Sequence, residues 1–137
     1  MSLFNIFNVA GSALNAQTTR LNTTSSNLAN ANSASSSIDK LYRARHPIFA
    51  PMMDAFAEKP MGIGVRVDGI VESTAPAKQE YNPGHPLANE EGFVFMPNVN
   101  VVEEMTNMIS ASRSYQTNVE VMNSAKQMMM RTISIGQ

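Results

Sequence analysis

The sequence predicts an α+β fold in which two long terminal helices pair as an antiparallel coiled-coil hairpin, with a small β-rich domain inserted between them. Three observations support this prediction. Apolar residues recur at seven-residue spacing in the last third of the chain, and a matching stripe occupies its beginning. All seven prolines lie between the two stripes. Because proline breaks helices, the chain is expected to divide into residues 1–38, 39–97 and 98–137.

The C-terminal helix is the element that the sequence predicts most clearly. Residues 99–135 contain neither proline nor glycine, and a helix of this length extends roughly 50 Å at about 1.5 Å per residue. Asn100 and Glu103 fit a capping box, and the carboxylates of Glu103 and Glu104 suit the positive end of the helix dipole. Such a rod is too long to be buried in so short a chain, so it requires a partner along its length. Its predicted seam consists of Val101, Met105, Met108, Ser112, Tyr115, Val119, Met122, Lys126, Met129 and Ile133.

The N-terminal arm carries the matching apolar stripe. The stripe is formed by Phe7, Leu14, Leu21 and Leu28, with companions at Leu3, Ala10, Gln17, Thr24 and Ala31. The rest of the surface is Asn, Ser, Thr and Ala, and Arg20 is the only ionisable side chain before residue 39. Such a helix is weakly stable alone. Two interpretations remain open: a frayed amphipathic helix against a small core, or a helix whose outer face also packs against other subunits.

The sequence of residues 39–97 predicts four short strands that form one small sheet. Residues 42–49 and 77–81 suit extended structure, the alternation over 64–72 predicts a half-buried antiparallel strand, and residues 93–96 form the last strand. The polar run after Ala31 and the Asn-Pro-Gly sequence at 82–84 predict a loop and a turn. Residues 51–61 have no clear period and predict a mobile loop. A sheet this small is marginal without a helix against it.

The composition argues against several classes of function. A net charge of −1 gives no support to a nucleic-acid partner or an anionic membrane surface, and the absence of cysteine excludes disulfides and thiolate metal sites. No apolar run reaches the roughly 18 residues of a membrane span, and the N-terminus lacks the form of a secretory signal peptide. His46 and His85 lack a second ligand at metal-binding spacing, and no serine lies in a nucleophile elbow. The sequence therefore predicts no enzyme activity, no cofactor and no metal site.

Both ends of the chain resemble the terminal signatures of bacterial flagellar axial proteins of the rod and hook. The resemblance rests on residues 11–14, 20–22 and 26–32 at one end and on 97–105 and 108–118 at the other. Residues 42–44 and 81–88 are similar to those of a proximal rod subunit, whereas Asn89 and the stretch 51–60 depart from the pattern. The motif residues that the resemblance provides are Arg20, Asn22, Asn27, Asn30, Asn98, Glu104, Arg113 and Gln116.

The resemblance implies a structural subunit of the flagellar basal-body rod, the periplasmic drive shaft that transmits torque. It further implies export by the flagellar type III apparatus without a cleaved signal peptide. The implied neighbours are copies of the chain in a helical assembly, other proximal rod proteins, the distal rod protein, and the MS-ring with its adaptor protein. Two alternatives remain: another short axial protein, or a soluble coiled-coil adaptor or chaperone. A charged exterior is expected of an adaptor, and the N-terminal arm has almost none.

Polar residues interrupt both stripes, at Gln17, Thr24, Ser112 and Lys126. These interruptions indicate that a hairpin of the two helices alone is poorly stable and gains its remaining stability from neighbours. We therefore expect the free chain to have disordered termini that fold on assembly. Arg113 falls off the stripe, so we expect it to contact a neighbouring subunit rather than its own hairpin.

Overall fold

The protein has a long helix at each end and two small antiparallel sheets between them, which confirms the predicted α+β class. The computed structural model describes residues 3–52 and 64–135, so most of the predicted loop at 51–61 lies outside the described residues. The elements are α1 (Leu3–Ala29), a 3-10 helix (Ile38–Lys40), β1 (Arg45–Pro51), β2 (Val65–Glu72), β3 (Lys78–Tyr81), β4 (Phe93–Met96) and α2 (Val101–Ile135). The 3-10 helix falls between the predicted loop after Ala31 and the predicted strand at 42–49, where no element was predicted.

The four strands form two separate sheets, and the prediction of one sheet was wrong. β1 pairs with β2, and β3 pairs with β4, both in antiparallel register. β4 also bonds to the segment after α1, where Ser35 and Phe95 exchange backbone hydrogen bonds of 2.9 and 3.0 Å. These bonds use peptide groups of β4 that a continuous sheet would need, because each peptide offers only one N–H and one C=O.

The alternation predicted for β2 holds only over its first half. Val65 and Val67 are half-buried, whereas Ile70 and Val71 are exposed. The register between β1 and β2 shifts between Ile48 and Phe49, and a bulge of this kind changes which side chains face inward. The β1–β2 hairpin therefore leaves exposed Val71, which strict alternation would have buried.

Helix α1 is the element on which the rest of the chain packs, since it contacts α2, β1 and β2. Two side-chain bonds show that α1 and α2 run in opposite directions. Arg20 bonds to Asn107, and Asn27, further along α1, bonds to Glu104, which comes earlier in α2. The Ser12 hydroxyl accepts a hydrogen bond from the Val65 backbone N–H at 3.1 Å, which joins the start of β2 to the same helix.

Small side chains occupy the most buried apolar positions of both helices. Ala10 and Ala16 in α1 and Ala111 and Ala125 in α2 are each at most 3% exposed. Because the distance between packed helices depends on the side chains at the contact, alanine permits a close approach. The predicted companion row of α2 followed its main row by four residues, but the more buried companions follow by three. They are Glu104, Ala111, Asn118 and Ala125.

The two helices differ in length by eight residues, 27 in α1 against 35 in α2. Near the C-terminal end of α2, Met130 and Ile133 are 63% and 61% exposed. This end of α2 is therefore poorly covered by the chain itself. Neither helix, over the ranges 3–52 and 64–135, is long and apolar enough to cross a membrane.

Candidate functional site

Asn27 is the most deeply buried polar side chain in the described part of the protein, with 0% of its surface exposed. It lies in the last turns of α1, beside β1. Its carboxamide oxygen accepts hydrogen bonds from the Arg45 backbone N–H and from the Tyr42 hydroxyl, each at 2.8 Å. Its amide nitrogen donates to the Arg45 carbonyl at 2.9 Å and to Oε2 of Glu104 at 3.2 Å. One side chain thus joins α1, β1 and α2.

The two bonds between Asn27 and Arg45 have the pattern of a neighbouring β-strand. An edge residue presents one N–H donor and one C=O acceptor, and the carboxamide of asparagine supplies the matching acceptor and donor. Arg45 stands opposite Glu72 of β2 on its other side. Asn27 therefore satisfies the backbone N–H and C=O of Arg45, so that neither group lacks a partner.

The Glu104 carboxylate reaches this junction from α2 and is 4% exposed. An unpaired carboxylate at such a position is destabilising, and the bond from Asn27 offsets part of the cost. Burial raises the pKa of Tyr42 above its ordinary value of 10.0, Arg45 opposes this rise, and Glu104 and Glu72 add to it. The Tyr42 hydroxyl is accordingly protonated at neutral pH and remains a donor to Asn27.

Arg20 forms a second polar link between the helices. Its Nη2 donates to Oδ1 of Asn107 at 3.0 Å. An open cavity of about 340 Å³ lies beside this link, and its lining includes Arg20, Arg45, His46 and Glu104. Across the described ranges no three His, Cys, Asp or Glu side chains come together as metal ligands. The arrangement therefore fits the joining of structural elements.

The structure brings three of the predicted motif residues to this junction and leaves the others apart. Arg20, Asn27 and Glu104 form the links described above. Asn30 donates to the Ser26 carbonyl at 2.8 Å within the end of α1. The exposed motif residues are Asn22, Asn98, Arg113 and Gln116.

The predicted seam residues are not equally covered in the single chain. The half-buried ones are Phe7, Leu14, Leu21, Leu28, Met108, Val119, Met122 and Met129. Val101 and Tyr115 are each 37% exposed, Met105 is 50% exposed and Ile133 is 61% exposed. The single chain therefore covers the predicted seam only in part.

Sequence reasoning missed the roles of Tyr42, Arg45 and Asn107 because their partners come from distant parts of the chain. It also placed Glu104 only in the first helical turn, where a carboxylate suits the helix dipole. The capping part of that prediction is supported, since Oδ1 of Asn100 accepts from the backbone N–H groups of Val102 and Glu103 at 3.2 and 3.4 Å. The fourteen-residue spacing of Ala111 and Ala125 was the available signal for the buried row.

Both helices of the junction lie largely in segments that match known families. Residues 7–34 match the family described as Flagella basal body rod protein, and residues 90–135 match Flagellar basal body rod FlgEFG protein C-terminal. The chain is 52% identical over 137 residues to the flagellar basal-body rod protein FlgC of Salmonella typhimurium, with 100% of both chains covered. The chain belongs to the FlgC family of flagellar basal-body rod proteins.

Further FlgC relatives match with the same coverage. The FlgC of Yersinia enterocolitica is 49% identical over 137 residues, and that of Buchnera aphidicola subsp. Baizongia pistaciae is 40% identical over 139 residues, each with 100% of both chains covered. The resemblance seen in the sequence is thereby confirmed. The chain is a structural subunit of the flagellar basal-body rod, and its family is not one of enzymes.

Proposed function

We propose that the chain assembles through α1 and α2 into the periplasmic drive shaft of the flagellum and transmits torque there. The two helices act as an antiparallel coiled-coil hairpin, residues 1–38 and 98–137, and form the inner layer of the rod. Residues 39–97 form a small outer domain. The Asn27 junction supports this division, because it fixes the outer strands to both helices at one buried point.

The observation that carries this proposal is that α2 leaves apolar side chains exposed along its whole length and on several of its sides. The exposed members range from 42% to 72% and are Val102, Met105, Ile109, Val121, Met128, Met130 and Ile133. Contact with further helices would remove these side chains from water, which favours association. The predicted seam residues are accordingly proposed to contact both their own hairpin and neighbouring helices. The exposed motif residues Asn22, Asn98, Arg113 and Gln116 are proposed to contact neighbours.

The proposed neighbours are further copies of the chain in a helical array, the other proximal rod proteins, the distal rod protein, and the MS-ring with its adaptor protein. The proposed route out of the cell is the flagellar type III export apparatus, without cleavage of a signal peptide. The 52% identity to a FlgC protein, over the whole length of both chains, supports these proposals. A helix with little intrinsic stability, such as residues 1–38, also suits passage through a narrow channel in an unfolded form.

Fractionation of motile cells tests the proposal directly. The chain, expressed from its own locus with a small epitope tag, is expected to co-purify with detergent-extracted basal bodies. A cytosolic enzyme followed in the same extract controls for carry-over. Recovery of the chain only in the cytosolic fraction of swimming cells would contradict a place in the rod and favour a soluble adaptor.

The free chain is expected to show little protection of the amide protons at residues 7–28. The buried side chains of α1 are mostly small or polar, with Ala10, Ala16, Thr24 and Asn27 among them, so the helix gains little from apolar burial. Amide hydrogen exchange on the purified monomer measures this, and the same segment in extracted rods is the comparison. Strong protection of residues 7–28 in the monomer would show that the hairpin is stable before assembly.

Leu21→Asp is expected to reduce swimming by interfering with assembly, and Val119→Asp should act similarly. Both side chains are half-buried, so each carboxylate loses part of its hydration without gaining a partner, at a cost of about 2 kcal/mol. Swimming in soft agar and the amount of subunit in extracted basal bodies are the measurements. Asn15→Asp, at an exposed position of the same helix to which no neighbour contact is assigned, is the matched control and should retain swimming. Normal swimming with Leu21→Asp would show that Leu21 does not belong to the seam.

A further inference from the structure

A row of exposed side chains follows α2 on the side opposite its buried alanines. Its positions are separated by four or seven residues and therefore share one face of the helix. The members that matter here are Val102, Ile109, Arg113, Glu120, Gln127 and Arg131, all exposed. We call this set the outer row of α2.

The outer row carries charges that its own chain does not pair. Within the described residues the ion pairs are Arg45–Glu72 and Arg66–Asp68, and neither the Arg113 nor the Glu120 side chain has a hydrogen-bond partner. Arg113 and Glu120 are one heptad apart, a rise of about 10 Å, whereas side chains of one helix pair across three or four residues. The two opposite charges are thus placed to meet partners on another helix.

We propose that the α2 helices of neighbouring copies lie side by side and parallel, displaced by one heptad, so that Arg113 of one copy pairs with Glu120 of the next. This inference rests on the multi-copy assembly proposed above. The same displacement places Val102 beside Ile109 of the next copy, so one ionic and one apolar pair of the outer row are matched together.

Other alignments of two copies fit the outer row less well. Without displacement, Arg113 meets Arg113, Glu120 meets Glu120 and Arg131 meets Arg131, and like charges repel. An antiparallel pair joins Arg113 to Glu120 but sets Val102 beside Arg131. The displaced parallel contact is also heterologous, so each copy donates its arginine on one side and its glutamate on the other. A contact of that kind repeats into an open helical array.

Thiol cross-linking in extracted basal bodies tests the displacement, because the sequence contains no cysteine. Copies with Arg113→Cys and copies with Glu120→Cys, co-expressed in place of the native chain, are treated with a bismaleimide of about 10 Å, the distance between packed helix axes. Each copy carries one thiol, so a link can form only between copies, and a dimer is expected from the mixture but not from either variant alone. A mixture of Val102→Cys and Ile109→Cys copies should also give a dimer, because an antiparallel pair sets Val102 beside Arg131 instead. A cross-link with one variant alone, or none in the second mixture, overturns the displaced parallel contact.

A chain recovered in basal bodies without any cross-link overturns this inference alone and leaves the proposed place in the rod intact. Charge reversal is the second measurement. Arg113→Glu and Glu120→Arg should each lower the amount of subunit in basal bodies about fivefold, the factor expected for one exposed ion pair. The double variant Arg113→Glu/Glu120→Arg should recover the original amount, because every contact is then an exchanged pair. A double variant that falls below both singles overturns the pairing.

Discussion

Replacing Asn27 by aspartate is expected to lower the stability of the assembled subunit by about 3 kcal/mol, within the range for an unpaired buried polar or charged group. Aspartate keeps the acceptors for the Arg45 N–H and the Tyr42 hydroxyl. It loses the donors to the Arg45 carbonyl and to Glu104. A second carboxylate would then face Glu104, which is 4% exposed, and the two negative charges would repel in a poorly hydrated place.

The measurement for Asn27→Asp is the urea concentration that releases the subunit from extracted basal bodies, together with swimming. Asn15→Asp adds the same charge at an exposed position of the same helix and should change the release midpoint little. Asn27→Asp combined with Glu104→Gln should recover part of the loss, because glutamine can donate to the new aspartate. A release midpoint for Asn27→Asp equal to that of Asn15→Asp would show that the junction does not hold the helices together.

Ala111→Asp is expected to cost about 4 kcal/mol and to abolish the recovery of the subunit in basal bodies. Ala111 is 0% exposed and belongs to the buried row of α2. A carboxylate there is both larger than the methyl group and deprived of water, so overpacking and desolvation add. Among the described residues of α2, Ala111 has the lowest exposure.

The matched control for Ala111→Asp is Ser110→Asp, an exposed neighbour on the same helix. Subunit recovered from basal bodies is quantified for both variants, with swimming as a second readout. Ser110→Asp should assemble and swim nearly normally. If Ala111→Asp assembled as well as Ser110→Asp, α1 and α2 would not approach closely at Ala111 in the rod.

The long helices and the α+β class followed from local features of the sequence. Residues 99–135 contain no proline and no glycine, and heptad spacing relates Phe7, Leu14, Leu21 and Leu28. Both features can be seen within a short stretch of sequence. The resemblance to the axial proteins likewise rested on stretches that the family matches later covered. These features needed no knowledge of what lies opposite each element.

Features that depend on contacts between distant parts of the chain were predicted less well. The companion row of α2 was placed four residues after its main row by heptad spacing, at Met105, Ser112, Val119, Lys126 and Ile133. The structure buries Ala111 and Ala125 most deeply, since two helices that approach closely have room only for small side chains. The strands were identified, but their division into two sheets depends on bonds between Ser35 and Phe95 that no local pattern reveals.

The sequence by itself determined the two long helices, the positions of the strands and the family, because periodicity and local motifs are written in consecutive residues. Only the tertiary structure decided that Asn27, one of several asparagines in α1, joins α1, β1 and α2. Its role depends on the free edge of β1 and on Glu104 arriving from residues far along the chain. Burial and hydrogen bonding depend on what lies opposite a side chain, and that is fixed only when the distant segments come together.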